Sequence, residues 1–365
     1  MDPDSSSSTT LKPANRNAQH LLVIRLSAMG DVAMTIPVLI ALTQKYPHLK
    51  ITVLTKPFFE PILSQLPNVT IHKAEVKGKH RGILGLWKLY KELKPTGIDS
   101  VADLHNVLRS SILKRFFKSK GIPFIQIDKA RKEKKALTAI KNKVFEPLKP
   151  MHLRYADVFA LLGFPINLEN KHVLSWLEIS TKLKQTIGVE EKRFIGIAPF
   201  AAFSGKMYPL HLMKEVLEQL NSLGAYQILL FGGGTTEKKQ LEVWEQELEH
   251  CVSVVGKINF KEELALISHL DLMVAMDSGN SHLAAMYGIP TITLWGVTHP
   301  FAGFYPFGQP QENALLSDRE KYPLIPTSVY GNRFPEGYDR AMETIAPKQV
   351  IQKIKEVLRL EEIKP

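Results

Sequence analysis

The sequence predicts an α/β protein of two halves, each a parallel sheet covered by helices. Two observations carry that reading. Short apolar runs rich in Val, Ile and Leu alternate with longer stretches of helical periodicity, and the scheme restarts after a break over residues 165–192. Parallel strands need crossover helices, so such alternation implies sheets buried on both faces. At 365 residues the chain is long enough for two domains and a sizeable core.

In the first half, strands are expected at "LLVIRL" (21–26), "KITVLT" (50–55), "VTIH" (69–72), "SVADL" (100–104) and "FIQI" (124–127). Each is a short apolar or β-branched run, the pattern of a buried strand. Helices are expected at 31–46, 57–65, 83–93, 107–118 and 131–145, with another at "LRYADVFALLG". The second half repeats the scheme. Its strands are "FIGIAP" (194–199), "YQILLFG" (226–232), "VSVVG" (252–256), "LMVAM" (272–276) and "TITLWG" (291–296), with helices near 209–223, 235–249, 260–268 and 279–287. The expected organisation is a disordered polar tail over 1–19, a Rossmann-like domain over 20–175 and a second over 190–345. A last helix within 346–365 is expected to cross back and brace the first domain.

Composition narrows the class. An apolar fraction of 44% with 23% charged residues is that of a soluble globular protein. No apolar stretch approaches the roughly 18–20 residues that span a bilayer, and the polar start has no signal-peptide core. A single cysteine, Cys251, excludes an internal disulfide framework and fits a reducing cytoplasm. The net charge of +11 is concentrated in first-half segments such as "HKAEVKGKHR", "LKRFFKSK" and "DKARKEKKALTAIKNK". Such a surface attracts nucleic acid, anionic lipid or phosphorylated sugar, or is simply a solvated basic face. No zinc knuckle, helix-turn-helix or aromatic stacking motif accompanies it, so no nucleic-acid partner is expected.

In open α/β sheets ligands bind beyond the carboxyl ends of the strands. That rule gathers "SAMGD", "ADLHN", "PFAAFSGK", "FGGGTTE", "MDSGNSH" and "GVTHP" around one cleft. Asp31 in the first loop either caps the helix that it opens or serves as a general base. In "DSGNSH", Asp277, Ser278, Gly279 and Asn280 open a helix where small residues let backbone N–H groups approach a diphosphate, and His282 lies within reach. An ordinary capped helix start is the alternative. Gly232 and Gly233 belong to a glycine-rich turn that is not GxGxxG, so a nicotinamide dehydrogenase is not expected. GxxxxGK[ST], HExxH and GxSxG are also missing. Lys206 is either merely exposed or neutralises a leaving diphosphate as a point charge.

Taken in order, these segments resemble the ADP-heptose:lipopolysaccharide heptosyltransferases of glycosyltransferase family 9. "VIRLSAMGDVAMTIPVLIAL" is similar to that family's opening strand, S-x-x-G-D turn and helix. "LDLMVAMDSGNSHLAAMYGIPTITLWGVTHP" is similar to its D-[ST]-G-x-x-H-L-A-A segment and the G-x-T that follows. Less specific matches are "VADLHNVLRS", the His-initiated "MHLRYADVFALLG" and the "GKMYP" turn. Two departures stand out. "APFAAFSGK" lacks the threonines usual before the lysine turn, and Val297 replaces the proline usual in "GVT". The segment "DREKYPLIPTSVYGNRFPEGYDRAMETIAP" matches no motif.

The resemblance implies a GT-B architecture, two Rossmann-like domains facing a central cleft, and an inverting transfer of heptose from an ADP-sugar to a phosphorylated lipopolysaccharide-type acceptor. It makes Asp31 the base and Lys206 the stabiliser of the diphosphate, brought in from opposite domains. Asp277, Ser278, Gly279 and His282 line the donor site, and Asn280, Gly232 and Gly233 are expected beside them. Lys77, Lys79, Arg81, His105, Asn106 and Arg109 are the candidate acceptor contacts. No metal and no cofactor is expected. The expected location is the cytoplasmic face of the inner membrane, as a peripheral protein on an anionic surface. The rival readings are a hydrolysing nucleotide-sugar epimerase and a nucleotide-sugar binding protein without turnover.

Overall fold

The computed structural model describes residues 19–188 and 192–362, so the expected tail lies, apart from Gln19, outside the described residues. The first sheet contains β1 (His20–Ile24), β2 (Lys50–Thr55), β3 (Val69–Lys73), β4 (Ser100–Asp103) and β5 (Phe124–Gln126). Its order is β3-β2-β1-β4-β5, and every pairing is parallel. All five residues of β1 are buried, because helices cover both faces of a parallel sheet. On one face Leu22, Ile24, Leu54 and Val101 meet Leu86, Leu89 and Leu93 of helix Gly82–Leu93, together with Leu113 and Phe117 of helix Leu108–Lys118.

The second sheet contains β6 (Arg193–Ala198), β7 (Tyr226–Leu230), β8 (Cys251–Ser253), β9 (Leu272–Met276), β10 (Thr291–Trp295) and β11 (Ala314–Leu316). It is also parallel throughout, in the order β11-β10-β9-β6-β7-β8. Counted from β6, this is the 3-2-1-4-5-6 order of a Rossmann sheet. Its core joins Ile195, Ile197, Ile228 and Val274 to Met213, Val216 and Leu220 of helix Leu210–Ser222.

Several expectations are corrected. The helix expected over 31–46 is two helices, Met29–Ala33 and Ile36–Lys45. Pro37 has no N–H to donate, and its ring would clash with the carbonyl four residues earlier. The helix expected over 131–145 stops at Leu137, where the Lys143 ammonium donates to the Leu137 carbonyl at 2.9 Å. Helix Thr181–Ile187 and β11 were not anticipated. The last helix, Pro347–Glu362, belongs to the second unit: Val350, Ile354 and Val357 lie in that unit's core.

Contacts divide the chain into two units, neither of them continuous in sequence. The first holds residues up to Ser27, Val38–Lys129 and Leu153–Asn170. The second holds Ala28–Pro37, Ala130–His152 and the chain from Lys171 onward. Asp31 and Lys206, expected on opposite halves, therefore belong to the same unit.

Candidate active site

In the second sheet the strand order reverses between β6 and β9, the switch point where this fold binds ligands. The chain leaving β6 forms a short 3₁₀ turn, Ser204–Lys206, and the chain leaving β9 supplies Asp277. The Lys206 ammonium lies 2.7 Å from Asp277 Oδ2 and also donates to the Asp277 carbonyl at 3.2 Å. Both side chains are largely buried, 15% and 7% exposed. Thr298 donates to the same Oδ2 at 2.9 Å. Asp277 is thereby committed to holding Lys206.

The unmatched Tyr- and Pro-rich segment forms the wall behind that lysine. The Val297 N–H donates to the Gly205 carbonyl, and the Thr327 N–H to the Val297 carbonyl. Ser328 Oγ accepts the N–H groups of Tyr330 and Gly331, closing a tight turn. Gly331 has φ +79°, and a Cβ there would stand 2.5 Å from Lys206 Cγ. Only glycine meets both conditions.

Helix Gly279–Ala285 starts beside the Lys206–Asp277 pair, and helix Met29–Ala33 packs against it. A Cβ on Gly30 would stand 2.7 Å from His282 Cδ2, and one on Gly279 would stand 2.6 Å from Met29 Cε. The two glycines allow this approach. Asp31, half-buried, accepts the Ala28 N–H at 3.2 Å and so caps its own helix. Burial holds the His282 imidazole down to about 4, against the pull of Asp277 and then Asp31. Burial, reinforced by His282, holds His152 down to about 4 as well. Both rings are neutral at neutral pH.

Three polar atoms around this helix start are buried and unpartnered: Ser278 Oγ, Asn280 Oδ1 and His282 Nδ1. His152 Nδ1 is a fourth such atom. Buried polar groups almost always find partners, because leaving one unpaired costs about 1–3 kcal/mol. Three orphans within five residues, with a fourth on a ring near enough to His282 to feel its charge, have the signature of a site made for a polar ligand.

Beyond the carboxyl ends of β7 and β8 lies a cavity of about 480 Å³, lined by Gly232, Gly233, Gly234 and Thr235 on one side and by Val254, Ile258 and Glu263 among others. The Gly233 N–H donates to the Glu237 carboxylate at 2.6 Å, fixing the glycine-rich turn. Burial pushes the Glu263 carboxyl up to about 7.

The six acceptor candidates all belong to the first unit. Lys77, Arg81 and Arg109 are exposed, while Lys79 is also exposed and lies 3.5 Å from Glu75 and 3.6 Å from Glu92. His105 and Asn106 are built into the loop after β4. Their N–H groups both donate to Asp103 Oδ1 at 2.9 Å, and Asn106 Nδ2 donates to the Ile127 carbonyl at 2.8 Å. His105 Nδ1 faces the Leu26 N–H at 3.4 Å.

A family model for glycosyltransferase family 9 (heptosyltransferase) matches residues 86–328. The chain belongs to glycosyltransferase family 9. Among curated relatives, this family 9 chain is 28% identical over 288 residues to the lipopolysaccharide core heptosyltransferase OpsX of Haemophilus influenzae, covering 77% of this chain and 80% of that one. It is likewise 28% identical over 357 residues to lipooligosaccharide heptosyltransferase 2 of the same organism, covering 93% and 99%. Among solved structures, a family 9 glycosyltransferase of Veillonella parvula superposes with a TM-score of 0.73 at 21% identity, covering 93% of this chain and 97% of that one. An Escherichia coli heptosyltransferase solved with ADP superposes at 0.67 and 17% identity, covering 93% and 99%. The expected GT-B fold class stands, and the epimerase family is not the one found.

Two groups of this family 9 site were not singled out from sequence. His152 opens the helix Met151–Leu161, and Thr298 is the threonine of the G-x-T turn. Both lay inside quoted motifs, so position in the motif was an available signal. Glu263 lay in no motif, and its place in a cavity wall follows only from the packing of its helix, Phe260–Ile267.

Proposed function

We propose that this family 9 enzyme transfers a heptose from ADP-heptose to a lipopolysaccharide inner-core acceptor, with inversion at the anomeric carbon. An acceptor hydroxyl oxygen bonds to that carbon as its bond to the diphosphate oxygen breaks. The hydroxyl proton passes to Asp31, and ADP departs with the bonding electrons. The transition state gains positive charge on the sugar and negative charge on the diphosphate, so a carboxylate is needed on one side and donors on the other. Lys206, steered by Asp277 and Thr298, supplies the cation. Ser278, Gly279, Asn280 and His282 supply polar groups for the donor, and the cavity beside Gly232 and Gly233 takes the nucleoside.

The observation that carries this reading is the set of buried, unpartnered atoms on Ser278, Asn280 and His282, next to the Lys206–Asp277 pair. The names of the curated relatives supply the sugar and the acceptor class. Lys77, Lys79, Arg81 and Arg109 are proposed to contact acceptor phosphates, with His105 and Asn106 shaping their edge. The proposed place of action is the cytoplasmic face of the inner membrane. Among the described residues no helix is long and apolar enough to cross a membrane.

The test is transfer from ADP-heptose to a deacylated inner-core acceptor, alongside thermal shifts with ADP, UDP and GDP. A ligand that binds the native state raises its stability, by about 2.7 kcal/mol at a hundredfold excess over Kd. ADP should give the largest shift, and transfer should persist in excess EDTA. Donor consumption without a glycosylated product, or loss in EDTA reversed by Mg²⁺, would contradict the mechanism.

A further inference from the structure

Helix Gly82–Leu93 carries a second apolar face that the fold does not use. Its inward face is complete: Leu86, Leu89, Tyr90 and Leu93 are buried in the core of the first unit. Yet Ile83, Leu84 and Trp87 stand 66%, 83% and 45% exposed. Ile83, Trp87 and Lys91 follow at four-residue steps and share one stripe of the helix. The Lys91 ammonium lies 3.7 Å from the centre of the Trp87 ring. On the next helix, Leu108 in the first turn is 78% exposed.

These residues lie toward one end of the first sheet. Both helices connect parallel strands and so run antiparallel to them, and the two pack against each other. Their first turns therefore lie at the carboxyl end of the first sheet. Exposed Lys77, Lys79 and Arg81 lead into the first of these turns and exposed Arg109 lies in the second, so basic groups outnumber the acids there, Glu75 and Glu92, which lie 3.5 and 3.6 Å from Lys79. Exposed aliphatic side chains and a tryptophan, ringed by lysine and arginine, match the two layers of an anionic membrane surface: acyl chains within, phosphate headgroups outside.

We infer that the first turns of helices Gly82–Leu93 and Leu108–Lys118 dock this enzyme on an anionic lipid bilayer, with Ile83, Leu84, Trp87 and Leu108 entering the headgroup–acyl boundary. The occupant is a bilayer rather than a second copy of the chain, because two copies would bring like charges together around a small apolar patch. The inference deepens the proposed function, which calls for a lipid-linked acceptor, and vesicle binding is read without donor or acceptor, so either can fail alone.

The experiment is co-sedimentation of the full-length protein with vesicles of phosphatidylglycerol in phosphatidylethanolamine, or of phosphatidylcholine alone, at low and high salt. Binding should require the anionic lipid and weaken with salt, and a Trp87→Phe variant should remove the blue shift of tryptophan fluorescence on binding. The double variant Ile83→Asp, Leu84→Asp should bind at least about tenfold more weakly, while its thermal shift with ADP stays that of the wild type. The wild-type lipid and salt dependence and the Trp87 signal need no charged variant, so misfolding of that variant would leave the test intact. No binding to anionic vesicles, equal binding to phosphatidylcholine, or full binding by a folded double variant overturns the inference. A concentration-dependent dimer abolished by the same substitutions also overturns it, assigning the face to a second copy.

Discussion

Asp31 has a visible structural task, accepting the Ala28 N–H, so the catalytic task proposed for it must be separated from that one by substitution. Asparagine keeps a side-chain oxygen for that N–H but cannot take a proton. Asp31→Asn should keep the melting temperature and ADP binding and lower turnover by about 10²–10⁴. Near-normal specific activity would leave only the cap. Lys206→Ala behaves differently, because it strands a buried carboxylate. Removing one partner of a buried pair costs about 3–5 kcal/mol, here reduced by the Thr298 hydrogen bond that remains. Calorimetry should show a lower melting temperature together with weaker ADP binding. Lys206→Ala, Asp277→Ala, which removes both partners' charges, should recover part of the stability but none of the activity. At this scale the sequence was legible where a residue sits in a short local pattern, as in "SAMGD" and "DSGNSH". The Lys206–Asp277 pair was not, since its partners are 71 residues apart and meet only through strand order.

Among the elements, strands were read closely because a buried parallel strand is a continuous apolar run. β11 escaped because it is three residues long, partly exposed and at a sheet edge. Helix ends were read less well where a proline or a tertiary contact cuts the pattern. Pro37 splits one helix into two, and the Lys143 ammonium closes another at Leu137. The contact between helices Met29–Ala33 and Gly279–Ala285 gives an ordered prediction. Gly30→Ala drives a methyl into the ring of His282, a buried side chain held by its surroundings. Gly279→Ala meets chiefly the flexible end of Met29. Gly30→Ala should lower stability by about 1–3 kcal/mol and activity with it. Gly279→Ala should cost less in denaturant unfolding, and the reverse order would mean that the two helices are not seated this way.

At the level of the whole molecule, buried titratable groups set how stability responds to pH. His152, His282 and His299 are each held down to about 4 by burial, with His282 and Arg319 adding to the first and last. Between about pH 6.5 and 4 the unfolded chain binds protons that these native rings refuse, so stability is lost as pH falls through that range. Glu263 has the opposite sign. Its carboxyl, pushed up to about 7, keeps a proton in the native state that the unfolded chain gives up, so it adds stability as pH falls from about 7 to 4.5. Three groups oppose one, and the melting temperature should drop between about pH 7 and pH 5. Glu263→Gln should raise stability above pH 7 and make the acid loss steeper. An unchanged slope would mean that Glu263 titrates as an ordinary surface carboxyl.

The interleaving of the two units also constrains the order in which the chain can become native as it is made. Helix Met29–Ala33 has five residues, far fewer than the roughly 12–15 that an isolated helix needs in water. It leaves the ribosome early, whereas the Gly279–Ala285 helix that it packs against follows roughly 250 residues later. At roughly 5–20 residues per second this is a wait of roughly 12–50 s. The first sheet can form during that time from strands already made, but Asp31 cannot take its place. A nascent chain released before Ala285 could therefore display a folded first sheet and still be unable to seat the carboxylate proposed as the base, so the proposed chemistry has to wait for that second helix.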